Sequence, residues 1–228
     1  YSSAFRTDDE AKREFFDHLR AIGDLPPDAS DLDPPVIKMR VGYTRQSWIK
    51  NCLAIGLSGG FIEPLEATAI YAIEIAARTF IANFPDKNVN PNLAHRFNDI
   101  MRALYEEIRD FVQLHYYTSN RADPFWVAAR EEARVSPELL ERLALWRCRL
   151  PDETDTKHNT LFKFSNYTVV LQAKGYFKDI RFPLEGSLSK EQWKDFGNGL
   201  EAHKTQLIRT LPDHYELLTD IRSRVLSA

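Results

Sequence analysis

The sequence predicts an α+β fold that is mainly α-helical, with a few short strands that read as pieces of a larger sheet. Three observations carry this. Apolar residues recur at steps of three and four through most of the chain, the period of helices that bury one face. Start signals precede those segments: Thr7 with Glu10, Asn90 with Pro91, Ser136 with Pro137, and Ser189 with Gln192. Strand-like patterning is confined to 36–41, 48–55 and 167–171.

In chain order, the Thr7–Glu10 capping box opens an amphipathic helix over 8–21 carrying Phe15, Phe16, Leu19 and Ile22. Pro- and Asp-rich 24–35 is a loop. Ile37, Met39 and Val41 alternate with Lys38 and Arg40, which predicts a half-buried strand. After a turn at 42–47, Trp48–Ile55 predicts a second strand paired with the first. A glycine-rich turn, 56–61, leads to Pro64 at a first helical position. The expected helix runs from there to Asn83, with Leu65, Ile70, Ile73, Ala77, Phe80 and Ile81 facing inward. The longest helix starts at Asn90–Pro91. Leu93, Phe97, Met101, Leu104, Ile108, Phe111 and His115 form its apolar stripe. Short helices follow around Phe125–Trp126 and after Ser136. Residues 151–160 are polar and loop-like. Tyr167–Leu171, β-branched and aromatic, predicts a strand. Ser189 opens a helical tail to about residue 227, broken near Leu211–Pro212.

Composition narrows the classes. Hydrophobic residues are 43% and charged residues 28%, ordinary for a globular protein. The net charge of −3 argues against a nucleic-acid partner, which would call for a basic face. No apolar run approaches the roughly 20 residues of a membrane span, so no membrane association is expected. Cys52 and Cys148 are too few for a disulfide scaffold and read as buried hydrophobes in a reducing cytoplasm. His158, His203 and His214 lack metal-ligand spacing, so no metal site is assigned. The four tryptophans read as packing anchors. Arg109–Asp110 reads as a structural pair at a helix end. Packing accounts for His115, Tyr116 and Tyr117. The chain opens Tyr1-Ser2-Ser3 without methionine, and further sequence upstream is expected.

The densest chemical signal is 56–68, a strand, glycine turn and helix start. Gly59 and Gly60 suit positive φ or close approach by a ligand. A helix N-terminus presents N–H groups and a partial positive charge, an anion site near Thr68 and Ala69. Glu63 and Glu66 flank it. An ordinary capped helix with acids in its first turn accounts for the same residues, and the physics does not choose among halide, phosphate and carboxylate.

Gly60-Phe61-Ile62-Glu63-Pro64-Leu65-Glu66-Ala67-Thr68 resembles the Gly-Phe-x-Glu-Pro-Leu-Glu-Ser-Thr signature of flavin-dependent tryptophan halogenases. Trp48–Leu57 is similar to the stretch leading into that motif. Arg109-Asp110-Phe111-Val112-Gln113 with His115-Tyr116 is similar to the family's Arg-Asp-Phe-Val-Gln-x-His-Tyr, and Pro124-Phe125-Trp126 to its Pro-Phe-Trp. The likeness covers most of 1–150 and weakens beyond.

The resemblance implies that 1–228 is the C-terminal part of a two-part flavin monooxygenase-type fold. Strands and motif would occupy 36–83, and a helical substrate-side region 84–228. The FAD-binding part, with its dinucleotide fingerprint and the family's lysine, would lie upstream of Tyr1. FADH2, oxygen and halide would yield hypohalous acid, directed onto an indole- or tryptophan-like aromatic. Glu66 would be the catalytic carboxylate, and Gly59, Gly60, Thr68 and Ala69 the halide- and flavin-side residues. Phe162, Phe164 and Tyr167 would be substrate-side aromatics, with sheet packing the other account of them. A separate flavin reductase would supply FADH2. The isolated chain would be inactive and would expose an apolar docking face, so homodimerisation is an expected consequence. Two departures bear on this. The signature serine is Ala67, and the segment 161–166 is short. They leave open a halogenase-like flavoprotein with lost or changed activity. A non-enzymatic helical binding module is the alternative of another class.

Overall fold

The computed structural model describes residues 1–24, 32–88, 90–131, 134–156, 161–182 and 186–226. The loop expected at 24–35, the polar stretch 151–160 with His158, and the end of the tail at 227 lie partly or wholly outside the described residues. Two compact units emerge, Tyr1–Ile180 and Arg181–Ala228. The boundary falls inside the region 84–228 that the sequence treated as one piece.

The first unit begins with α1 (Asp8–Ile22). The Thr7 hydroxyl accepts from the Glu10 N–H at 3.3 Å, and the Glu10 carboxylate accepts from the Thr7 N–H at 2.8 Å. Gly23 ends the helix in the left-handed conformation, φ 77°.

The strands are shorter than expected and pair differently. β1 (Gly42–Tyr43) lies antiparallel to β4 (Gly60–Phe61), with Gly42 opposite Phe61. β2 (Trp48–Ile49) and β3 (Cys52–Leu53) form a separate hairpin. Residues 36–41 form no strand, and Ile37, Met39 and Val41 are exposed. Alternation marks only which face could be buried. A strand also needs a ladder partner, and pairing here begins at Gly42. The expected long strand 48–55 folds back on itself at Lys50, whose φ of 53° reverses the chain. Cys52 and Cys148, expected inside, are both exposed.

Both pairs sit against α3 (Pro91–Tyr117), the longest helix, capped by Asn90 with Pro91 in its first turn. Phe97, Met101, Leu104, Ile108 and Phe111 are buried along it, as the periodicity predicted; Leu93 and His115, at the ends of the predicted stripe, are half-buried, and Leu114 is buried in addition. Asn98, also buried, accepts from the Trp48 N–H at 2.8 Å and donates to the Trp48 carbonyl at 2.9 Å. A helix side chain thus stands in for a neighbouring strand and fixes the hairpin on α3. The Trp48 ring meets Phe80 and Phe97 edge-on.

α2 (Thr68–Ala82) packs on α3 through small residues: Thr68, Ala72 and Ala76 are its buried positions. This corrects the expected inner face. Ile70, Ile73 and Ile81 point to solvent, 73%, 45% and 72% exposed. The small residues let two helices approach closely, and the bulky ones are left on the opposite side.

α4 (Pro124–Ala129) follows the end of α3, and α5 (Pro137–Leu145) starts on a Ser136 side-chain cap. Tyr167–Leu171, expected as a strand, lies inside α6 (Phe164–Ala173). Tyr167 and Leu171, four residues apart, are both fully buried. Tyr167 packs against Phe111 and Trp146. Burying that helical pair outweighs the local β preference of Tyr, Thr and Val. Arg109 and Asp110 pair as expected, but in the body of α3 and not at its end. The buried Asp110 accepts from Arg109 at 2.7 Å and Arg142 at 3.1 Å.

The second unit comprises α7 (Lys190–Thr210), opened by the Ser189–Gln192 capping box, and α8 (His214–Leu226). No residue of α7 is buried; Trp193, Phe196 and Leu200 are exposed.

Candidate active site

The sequence leads one to expect a continuous helix from Pro64. The backbone departs from that at the motif. Pro64 has φ −70°, a single 3-10 turn covers Leu65–Ala67, and α2 begins only at Thr68. Glu66 (φ 62°, ψ 14°) and Ala67 (φ 51°, ψ 27°) both adopt the left-handed conformation. For a non-glycine residue this costs about 1–2 kcal/mol. Consecutive occurrences persist where the surroundings dictate them, and they concentrate at functional sites. The Ala67 N–H bonds the Pro64 carbonyl at 3.3 Å, closing the turn.

The strained turn has two chemical consequences. Glu66 is exposed and lies in the 3-10 turn before α2, so it is not an acid of that helix's first turn. α2 begins with no side-chain cap and no acidic residue in its first turn. Ala67 offers no oxygen, and its φ lies outside the extended range in which an N-cap side chain reaches back. Thr68 is buried and Ala69 half-buried at this helix end. Glu66, Thr68 and Ala69 are therefore brought together.

Gly59 and Gly60 lack the positive φ that glycines at a turn suggest; that falls to Gly56, at 64°. A Cβ on Gly60 would lie 2.6 Å from the Tyr43 Cβ and 3.0 Å from the Tyr105 ring. Tyr43 stacks on Tyr105 at 5.3 Å and 9°. The close approach that Gly60 permits is by the protein's own aromatics, which seat β4 and aim the motif.

On the far side of the turn, the Glu63 carboxylate lies near the Tyr116 hydroxyl. Burial, with this carboxylate beside it, raises the Tyr116 phenol well above its ordinary value. Tyr116 stands against Phe125 and Trp126 at the end of α3. Sequence reasoning placed Tyr116 among the packing residues. Its only signal was its position at the end of the Arg-Asp-Phe-Val-Gln-x-His-Tyr stretch, and nothing local ties it to Glu63.

The substrate-side candidates divide. Phe162 is buried and stacked on Phe111 at 3.6 Å and 14°. Tyr167 has no exposed surface, and burial pushes its phenol up to about 12. Phe164 is 39% exposed. A cleft of about 1310 Å³ runs along α2, α3, α5 and α6, bordered by Tyr71, Arg78, Glu107, Arg142, Lys163 and Tyr167; Glu66 does not border it. Burial raises the Glu107 carboxyl there, although the Phe162 N–H donates to it at 2.8 Å. Among the described residues no cluster of His, Cys, Asp and Glu could hold a metal ion. None of the described helices is long and apolar enough to cross a membrane.

The family model described as "Tryptophan halogenase" matches residues 1–189. The tryptophan 7-halogenase RebH of Lentzea aerocolonigenes is 33% identical over 98% of this chain and 44% of its own length. The 7-chloro-L-tryptophan 6-halogenase KtzR of Kutzneria sp. is 32% identical over 97% of this chain and 42% of its own. Among solved structures, BrvH, a flavin-dependent halogenase from Brevundimonas sp. BAL3, superposes with a TM-score of 0.79 at 31% identity, covering 96% of this chain and 43% of that one. The chain spans less than half the length of these relatives. Sequence and fold agree: the chain belongs to the tryptophan halogenase family.

Proposed function

We propose that this chain supplies the catalytic carboxylate and the halide-side helix end of a flavin-dependent halogenase acting on an aromatic, indole-like substrate. The observation that carries the reading is Glu66, exposed on a left-handed turn beside the uncapped start of α2. A halide ion fits that helix end, where no side chain and no acid competes for the first-turn N–H groups near Thr68 and Ala69. The flavin fits less fully. No Gly-x-Gly-x-x-Gly fingerprint occurs in the chain, so its residues would border the cofactor and not enclose it. Reduced FAD, when bound, would supply with oxygen the oxidation of halide to hypohalous acid. Glu66 would then act at the substrate. As the carbon–halogen bond forms and the oxygen–halogen bond breaks, the oxygen leaves as hydroxide, and the carboxylate stabilises the cationic ring, takes its proton and passes it on to that hydroxide to give water.

In this reading the isolated chain does not turn over, and a flavin reductase supplies FADH2 to the whole enzyme. The exposed Ile70, Ile73 and Ile81 form the face that meets the remainder of the enzyme. Of the substrate-side candidates, Phe164 is the one with surface to offer. A second reading rests on Ala67 in place of the signature serine: a halogenase-like flavoprotein with a different substrate. Crystals of the full-length protein soaked in bromide test the halide site. Anomalous density within reach of the Thr68 and Ala69 N–H groups is expected. Bromide bound elsewhere in the protein, with this helix end empty, refutes the assignment.

A further inference from the structure

We propose that Glu107 is a positioning residue: by holding the backbone of Phe162 it sets where the Phe164 ring stands, and so which carbon of the aromatic substrate is halogenated. This rests on the reading of Phe164 as the substrate-side aromatic.

Glu107 lies in the body of α3, half-buried at the border of the cleft. Its carboxylate accepts from the Phe162 N–H at 2.8 Å, joining residues 55 apart in the chain. The Phe162 ring lies face-on against Phe111, with centroids 3.6 Å apart. Phe111 is four residues on from Glu107, on the same side of the helix. α3 thus grips Phe162 twice, by its backbone and by its ring. The next N–H, that of Lys163, donates to the Asn166 side chain at 2.8 Å. Phe164 follows as the first residue of α6. Farther along, Tyr167 is buried against Phe111 and Trp146. Arg142 donates to the Tyr167 hydroxyl at 3.3 Å and to Asp110 at 3.1 Å. Helix α6 is therefore anchored to α3 at Tyr167, and the chain entering it is anchored at Phe162. Phe164 lies between these anchors and is itself exposed, so they, more than its own packing, set its place. Burial opposes the Glu107 charge, and the Phe162 N–H favours it. Without that carboxylate the Phe162 N–H loses its acceptor, and the backbone from Phe162 to Phe164 gains freedom. The effect falls on the products. An indole ring has several carbons open to electrophilic attack, and a site chooses among them by how it holds the ring. A loosened Phe164 lets the ring's own reactivity choose.

The test uses the full-length enzyme with reduced flavin, bromide and either tryptophan or indole. Brominated isomers are separated, and flavin oxidation is followed in parallel. In Glu107→Ala the share of minor isomers should rise about fivefold, with flavin oxidation unchanged. Glu107→Gln keeps an accepting oxygen and should give the wild-type isomer ratio. A residue that only stabilised the fold would lower the yield of active enzyme and leave that ratio alone. Amide hydrogen exchange across 161–168 should be faster in Glu107→Ala than in wild type, and unchanged in Glu107→Gln. A wild-type isomer ratio in Glu107→Ala overturns the inference, as does a ratio shifted in Glu107→Gln; the second variant decides alone where the first does not fold. Phe164→Ala run alongside separates the two levels. If it leaves the isomer ratio and KM as in wild type, the substrate-side reading fails. If it shifts them while Glu107→Ala does not, only the role given to Glu107 fails. A wild type that brominates neither probe overturns the indole-like reading and the inference with it.

Discussion

Helices α1 and α2 are each 15 residues long, and they begin in opposite ways. α1 starts on a reciprocal capping box, carries Asp8, Asp9 and Glu10 in its first turn, and follows an extended N-cap residue. Its N-terminal charge and donors are answered by its own sequence. α2 starts on Ala67 in a left-handed conformation, with no cap and no acid in its first turn. The acid that a capped helix would keep there, Glu66, has been turned out into solvent. Where a helix end only stabilises, side chains close it. Where it is left open beside an exposed carboxylate, local stability has been forgone, as the proposed halide-side site requires.

The comparison can be broken or sharpened by substitution. The largest stability effect is expected from Gly60→Ala, because the new Cβ would meet backbone-proximal atoms of Tyr43 and the Tyr105 ring. A loss of about 1–3 kcal/mol is expected, read by chemical denaturation. A neutral result would mean that β4 is not seated by those aromatics. Next is Thr7→Ala, which removes one half of the α1 box and should cost about 1 kcal/mol. Smallest is the matching change at α2. Ala67→Ser adds a hydroxyl, but left-handed geometry does not direct it at the first-turn N–H groups, so stability should move by less than about 0.5 kcal/mol. A serine that stabilised α2 as much as Thr7 stabilises α1 would show that the open end is merely a missing cap.

What could be read from the sequence follows the same division. The capped starts of α1, α3, α5 and α7 were legible because a cap is a local contract between a side chain and an N–H two or three residues on. The α3 stripe was legible because it is long and regular. The motif located Glu66, Thr68 and Ala69 by resemblance. Its shape was not legible: no residue type signals left-handed φ at Glu66 and Ala67, where glycine or asparagine would be the usual mark. The orientation of α2 was misread because apolar size suggested Ile70, Ile73 and Ile81 as the inner face, while close packing on α3 selected Thr68, Ala72 and Ala76. Helix α6 was misread because Tyr167 and Leu171 are fixed by Phe111, Trp146 and their surroundings, partners that a local window does not contain. The same distance in sequence hid the nearness of Glu63 to Tyr116.

The central claim is that Glu66, and not its neighbour Glu63, is the carboxylate that acts on the substrate. The most direct measurement compares Glu66→Gln with Glu63→Gln in the full-length enzyme at equal reduced-flavin supply. Halogenated product and hypohalous acid are followed separately. Loss of a general base or electrostatic partner typically costs about 10²–10⁴ in rate. Glu66→Gln should therefore lose about that much product formation while hypohalous acid production and flavin binding persist. Glu63→Gln should stay within about threefold of wild type, since Glu63 lies before the left-handed turn and is assigned no contact with the substrate. The account is contradicted if Glu63→Gln is the more damaging of the two, or if Glu66→Gln remains within about threefold of wild type, well short of the loss expected for a catalytic carboxylate.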